Sequence, residues 1–200
     1  GSSLTDNMMI LEYELPYSSR RIDVLLFGKS ELDQENIVMM ELKQWSNENV
    51  EDTEAEGNIV VDYGRFWKEQ AHPSLQVQGY HFDLRDFLEI FDNNDSPDLS
   101  SCVYAHNYSK DKDGILFADK FSEAVKSFPI FAKEDSVELG RYLKQKLQNG
   151  KGGIIFERFA RSPIRPSKRL LDHTSKMINQ RQIFNLIDDQ IAAYNSIMHK

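Results

Sequence analysis

One cysteine, Cys102, stands in the 200 residues. That excludes an internal disulfide framework and any cysteine-rich zinc site, and it suits a reducing, cytoplasmic compartment. No apolar stretch approaches the length of a membrane span and no signal peptide is visible, so no membrane partner is expected. His81 and His173 lack ligand-like spacing to another His or Cys, which removes the remaining basis for zinc. No Gly-rich loop ending in Lys-Ser or Lys-Thr appears, so no nucleotide-driven motor lies within these residues. Repeats and low-complexity tracts are absent too.

What is present suits one ordinary domain with an appendage. Apolar content of 40% and aromatic content of 11% are enough for a core. The net charge of −8 argues weakly against a polyanionic partner, but its distribution matters more. Residues 151–181 hold Lys151, Arg158, Arg161, Arg165, Lys168, Arg169, Lys176 and Arg181 against only Glu157 and Asp172. Such a stretch either contacts a phosphate backbone or is a solvated basic tail.

Two apolar runs, 9–15 and 22–27, flank turn chemistry at Pro16-Tyr17-Ser18-Ser19 and read as a hairpin. Residues 28–36 form a polar loop and 37–45 a third strand. Residues 46–64 are acidic and read mostly as loop around the short apolar Ile59-Val60-Val61. Pro73 opens a helix with apolar periodicity through Leu75, Tyr80, Leu84, Phe87, Leu88 and Phe91. A short buried strand follows at 101–105, then amphipathic helices at 134–147 and 182–198, the latter also able to dock a partner or dimerise. Residues 1–8, beginning Gly-Ser-Ser, read as a tag remnant or disordered lead. A folded domain is expected over 9–150, and a basic segment with a terminal helix over 151–200.

Charge inside the apolar strands is the informative departure. A strand buried on both faces should be continuously hydrophobic, yet Met40-Glu41-Leu42-Lys43 and Arg20-Arg21-Ile22-Asp23 are not. Glu41 and Lys43 are two apart and share a strand face. Burying them costs several kcal/mol unless they are paired or bind a metal. A hard divalent ion, Mg²⁺ or Mn²⁺, needs only one or two carboxylates with waters, which Asp23 and Glu41 can supply. The backbone carbonyl of Leu42 could complete the shell, and Lys43 supplies a cation beside an attacking water. Glu14 on the first strand is either a third carboxylate or a solvent charge.

These motifs resemble the PD-(D/E)XK nuclease superfamily: Glu-Leu-Pro, then Arg-Ile-Asp, then a hydrophobic strand ending Glu-Leu-Lys. Gln76-Val77-Gln78-Gly79-Tyr80 is similar to the Gln-X-X-X-Tyr signature of its RecB-like branch, and i,i+4 spacing puts Gln76 and Tyr80 on one helix face. Glu-Tyr-Glu-Leu-Pro, Glu-Leu-Lys-Gln-Trp-Ser and His-Pro-Ser-X-Gln resemble the nuclease-like part of bacterial Schlafen-like DNA/RNA helicase proteins, over about residues 9–108.

The resemblance implies a restriction-endonuclease-like α/β domain, a mixed sheet flanked by helices, with a helical C-terminal extension. It implies a nuclease acting on nucleic acid, DNA before RNA, beside a helicase domain of the same full-length protein, in DNA processing or phage defence. Asp23, Glu41 and Lys43 would be catalytic and metal-binding, and Gln76, Tyr80 and His72 substrate-side. Only eight residues precede Met9, so the superfamily helix that carries an acid before the first strand is expected to be absent or lost by truncation, and Glu14 would stand in for that acid. The alternative is the same fold without catalysis, binding nucleic acid or a partner protein. Cys102 is expected in the core, and Trp45 and Trp67 in the core or at its edge, with base stacking as their alternative. His106 either reaches the site from a strand end or does not.

Overall fold

The computed structural model describes residues 6–16, 18–110 and 114–165. The helix expected over 182–198, and Lys168, Arg169, Lys176 and Arg181 of the basic stretch, lie outside those residues.

β1 (Met8–Glu14) and β2 (Arg21–Lys29) pair antiparallel, with Met8 opposite Phe27 and Glu14 opposite Arg21. The turn between them closes with Leu15 N–H donating to the Arg20 carbonyl at 2.9 Å. β3 (Glu35–Lys43) runs antiparallel to β2. The chain then leaves the sheet, because the next strand is parallel to β3 and a parallel neighbour needs a crossover.

That crossover carries β4 (Val50–Glu51), β5 (Asn58–Asp62), β6 (Trp67–Ala71) and α1 (Pro73–Phe87). The three strands form a separate antiparallel sheet in the order β4-β5-β6. Where the sequence reads as loop, Val50, Ile59 and Val61 are buried in the main core. β6 escapes sequence detection because Trp-Lys-Glu-Gln-Ala shows no apolar alternation, and it is almost entirely exposed.

β7 (Asp98–Ala105) lies parallel to β3, with Glu41 opposite Val103 and Lys43 opposite Ala105. After α2 (Ser122–Ser127), β8 (Ile130–Ala132) adds a parallel edge. The five-stranded mixed sheet has the order β1-β2-β3-β7-β8. α3 (Ser136–Leu147) follows, and α4 (Gly152–Ala160) is the last helix among the described residues. None of these helices is long and apolar enough to cross a membrane.

Both faces of the central strands are covered. Ile37 and Met39 join Val77, Tyr80 and Leu84 of α1 in the larger cluster, whereas Val38 and Cys102 meet Leu139 and Leu147 of α3 in the smaller one. This is why the third strand reads as an unbroken apolar run. Cys102 is a core residue, and burial pushes its thiol up to about 12.

α4 falls inside what the sequence suggests is a basic appendage. Its buried stripe, Ile155 and Phe159, packs on the hairpin: the Phe159 ring lies 5.2 Å from Phe27 and 5.3 Å from Tyr13. The compact unit therefore runs to Arg165, not to Gly150. Two leading glycines and three nearby basic residues mask the helix in the sequence. Gly152 is required by close approach, since a Cβ there would sit 2.3 Å from the Phe27 carbonyl oxygen and 2.4 Å from the Met8 nitrogen. Both are backbone atoms and cannot rotate away. Gly152→Ala is expected to cost at least about 1–3 kcal/mol by overpacking, read as a lowered urea midpoint.

Candidate active site

Five of the residues singled out in the sequence converge where β2, β3 and α1 meet. β3 turns Glu41 and Lys43 towards α1, on the face that also carries Ile37 and Met39. The last backbone pair of the β2–β3 ladder is Val24 with Met40. Beyond it the Asp23 carboxylate takes over as acceptor: Leu42 N–H donates to Asp23 Oδ2 at 2.8 Å. Asp23 is thereby pinned in the gap where the ladder ends, close enough for its charge to act on Glu41.

Glu41 is 5% exposed. Its Oε1 accepts from Lys43 Nζ at 2.9 Å and from Gln76 Nε2 at 2.9 Å. Its Oε2 is buried and has no hydrogen-bond partner among the described residues. Burial pushes the Glu41 carboxyl above the usual carboxylate range, and the negative charge of Asp23 pushes the same way. Lys43 and Gln76 oppose the shift without cancelling it. Lys43 itself lies against the Trp45 ring, 4.9 Å from its centre, as a cation–π contact.

On α1, Gln76 Nε2 also donates to the Tyr80 hydroxyl at 2.9 Å, as their shared face requires. Among the described residues no acceptor takes the Tyr80 O–H, which leaves it able to donate. Burial raises its pKa above the ordinary phenol value, aided by the charges of Glu41 and Asp23. Arg20, which sequence reasoning assigned no role, stands at this end of the site. Its guanidinium lies 5.4 Å from the centre of the Tyr80 ring and is held by Asp83. Its only sequence signal is its place three residues before Asp23.

Other candidates lie elsewhere. Glu14 is exposed and stands opposite Arg21; among the described residues no hydrogen bond or ion pair joins it to Asp23, Glu41 or Lys43. The acid of β1 that faces Asp23 is Glu12. The pairing register skips it between Leu11–Val24 and Tyr13–Ile22, and its φ is +52°. Glu12 and Asp23 line one cleft of about 580 Å³ with Leu11, Val24, Leu42 and Gln44. His106 sits by Tyr104, ring centres 5.8 Å apart, on the face away from Glu41.

His72 is a fully buried helix cap and not a substrate contact. Its Nδ1 accepts from Ser74 N–H at 3.3 Å, its Nε2–H donates to the Leu116 carbonyl at 3.1 Å, and its ring stacks on Phe121. No ring nitrogen is left for phosphate. Burial lowers its pKa to about 4, and His81, half-buried against Ser101 and Phe128, is lowered likewise to about 4. Both stay neutral in the fold while the unfolded chain protonates near pH 6.5, so stability present above that pH is lost as pH falls towards 4. Thermal melts should show this slope. The His72 share is on the order of 3 kcal/mol, and His72→Gln should leave only the His81 part.

Among the described residues no cluster of three or more His, Cys, Asp or Glu forms. Two carboxylates with a buried unpaired oxygen nevertheless suit a hard divalent ion that keeps several waters. No protein-family model, curated protein or solved structure matches this chain.

Proposed function

We propose that the chain is a nuclease domain that hydrolyses phosphodiester bonds with Mg²⁺ or Mn²⁺. The observation that carries this reading is the lopsided environment of Glu41: Oε1 takes two donors, whereas buried Oε2 takes none, beside a second carboxylate. A buried carboxylate oxygen left unpaired costs about 1–3 kcal/mol, a cost that cation binding removes. Asp23 and Glu41 would hold the ion, with the Leu42 carbonyl as a further oxygen. Such an ion supplies the charge that activates water and neutralises the phosphate.

The protein's own groups do the rest. Lys43, fixed between Glu41 and Trp45, orients an attacking water and offsets charge developing on the phosphorus oxygens. Gln76 holds Glu41 and Tyr80 in fixed orientation, and the free Tyr80 O–H can donate to a phosphate oxygen. Arg20 adds a half-exposed cation at the same mouth.

The mixed sheet with Asp23, Glu41 and Lys43 on adjacent strands supports the restriction-endonuclease-like reading of the fold. DNA is the favoured substrate, and a helicase domain of the same full-length protein the favoured partner, in a cytoplasmic DNA-processing or phage-defence role. Those assignments rest on the motif resemblance alone. Labelled single- and double-stranded DNA and RNA incubated with Mg²⁺, Mn²⁺ or chelator test the reaction. Cleavage of DNA that chelator stops is expected; no cleavage of any substrate with either ion would remove the proposal.

A further inference from the structure

The β5–β6 hairpin ends in a surface the catalytic site does not use. Four aromatic side chains are strongly exposed among the described residues, and three of them lie in this one turn: Tyr63 at 46%, Phe66 at 58% and Trp67 at 47%. Clusters of exposed rings mark interaction sites rather than chance exposure.

The turn is also built to stay in place. Tyr63 N–H donates to the Phe66 carbonyl at 3.0 Å, Asp62 Oδ1 accepts from Gly64 N–H at 2.6 Å, and Gly64 takes the positive φ of +80° that the reversal needs. The Tyr63 and Phe66 rings stack with centres 5.6 Å apart, and the Tyr63 hydroxyl is tied to the Gln70 amide at 3.1 Å. Rings already held in place lose little freedom on binding.

Charge selects the partner. Arg65 and Lys68 flank the rings, exposed, and form no ion pair with any described residue. The neighbouring acids are occupied: Asp62 caps Gly64, and Glu69 accepts from Asn58. Rings with free cations between them match unstacked bases on a phosphate chain, and a duplex hides the base faces that such rings would need. The Tyr63 hydroxyl and the Gln70 amide are paired with each other. β6 spans roughly 17 Å at its usual rise and runs directly into the helix that carries Gln76 and Tyr80.

We propose that the 63–68 turn is a base-stacking platform that binds single-stranded DNA and feeds it to the Asp23–Glu41 site. The choice of polymer rests on the nuclease reading; the stacking surface does not.

Anisotropy of a labelled oligothymidylate, measured with the full chain in chelator so that no metal-dependent cleavage intervenes, tests it. The Phe66→Ala/Trp67→Ala variant should bind at least about tenfold more weakly, while its weaker binding to a duplex stays unchanged. Trp67→Phe keeps a ring and should bind within about threefold of wild type, but lose the emission quenching that stacking gives the wild type. Arg65→Ala/Lys68→Ala should lower the slope of log affinity against log salt by about 1.4. The platform is wrong if wild type fails to bind oligothymidylate at micromolar concentration. It is equally wrong if the aromatic double variant, melting as wild type does, binds oligothymidylate as wild type does or loses duplex binding equally, or if an oligouridylate binds tenfold tighter. Affinity loss without any metal-dependent cleavage would sink the nuclease reading and leave the platform; cleavage with unchanged affinity would do the reverse.

Discussion

Mn²⁺ at a hundredfold its dissociation constant is expected to stabilise the wild-type fold by about 2.7 kcal/mol, a rise in Tm of roughly 5–10 °C. Glu41→Gln and Asp23→Asn should show no such rise. The expectation follows from Glu41, whose buried Oε2 lacks a partner and whose carboxyl is pushed up by burial. A raised carboxyl pKa means that the metal-free fold binds the Glu41 proton more tightly than the unfolded chain does. Stability from the protonated form is present at pH below the unfolded value and lost as pH rises through the folded one. A neutral glutamine side chain at this position avoids that loss, so Glu41→Gln should match or exceed the metal-free stability of wild type near neutral pH while losing the metal response. Metal affinity should also fall on acidification sooner than it would at an exposed glutamate, because protonation competes with the ion. Melts with and without Mn²⁺ across pH check both statements.

Lys43→Ala is expected to lower the cleavage rate about a thousandfold, the scale seen when one fixed electrostatic group is removed from a transition state. Lys43 is 11% exposed at its side chain, 2.9 Å from Glu41 Oε1 and against Trp45. Its loss leaves Glu41 with the Gln76 amide as its remaining hydrogen-bond donor, so the Glu41 carboxyl should rise further. Part of the lost rate would then be recovered at higher pH, and a rate–pH profile separates that part from the loss of the cation. Lys43→Arg should restore little, because a planar fork cannot replace a point charge held between a carboxylate and a ring. A circular dichroism spectrum like that of wild type would show that the loss is chemical.

Much of the candidate site was legible because its residues contradict their surroundings. Glu41 and Lys43 interrupt a run that is apolar only because α1 and α3 cover both faces of β3, and the i,i+4 pair Gln76 and Tyr80 shares one face of a helix announced by Pro73. What stayed hidden depends on partners distant in sequence or on backbone geometry. His72 looks free until Leu116, 44 residues on, accepts from its ring. Glu12 rather than Glu14 faces Asp23 because the hairpin register, with Leu11 opposite Val24 and Glu14 opposite Arg21, sets position 12 across from it. β6 shows no apolar period because it is almost entirely exposed, and the same exposure makes Trp67 a surface ring instead of a core one. α4 hides behind its glycines and arginines, although Phe159 packs on Phe27 and Tyr13 as firmly as a core helix.

We propose that Asp23, Glu41 and Lys43 form a metal-dependent phosphodiesterase site. A single-turnover time course on end-labelled DNA in Mn²⁺, with wild type and Lys43→Ala side by side at equal folded concentration, tests it most directly. Cleavage by wild type and about a thousandfold less by the variant is the predicted result. Equal rates in the two proteins would contradict it.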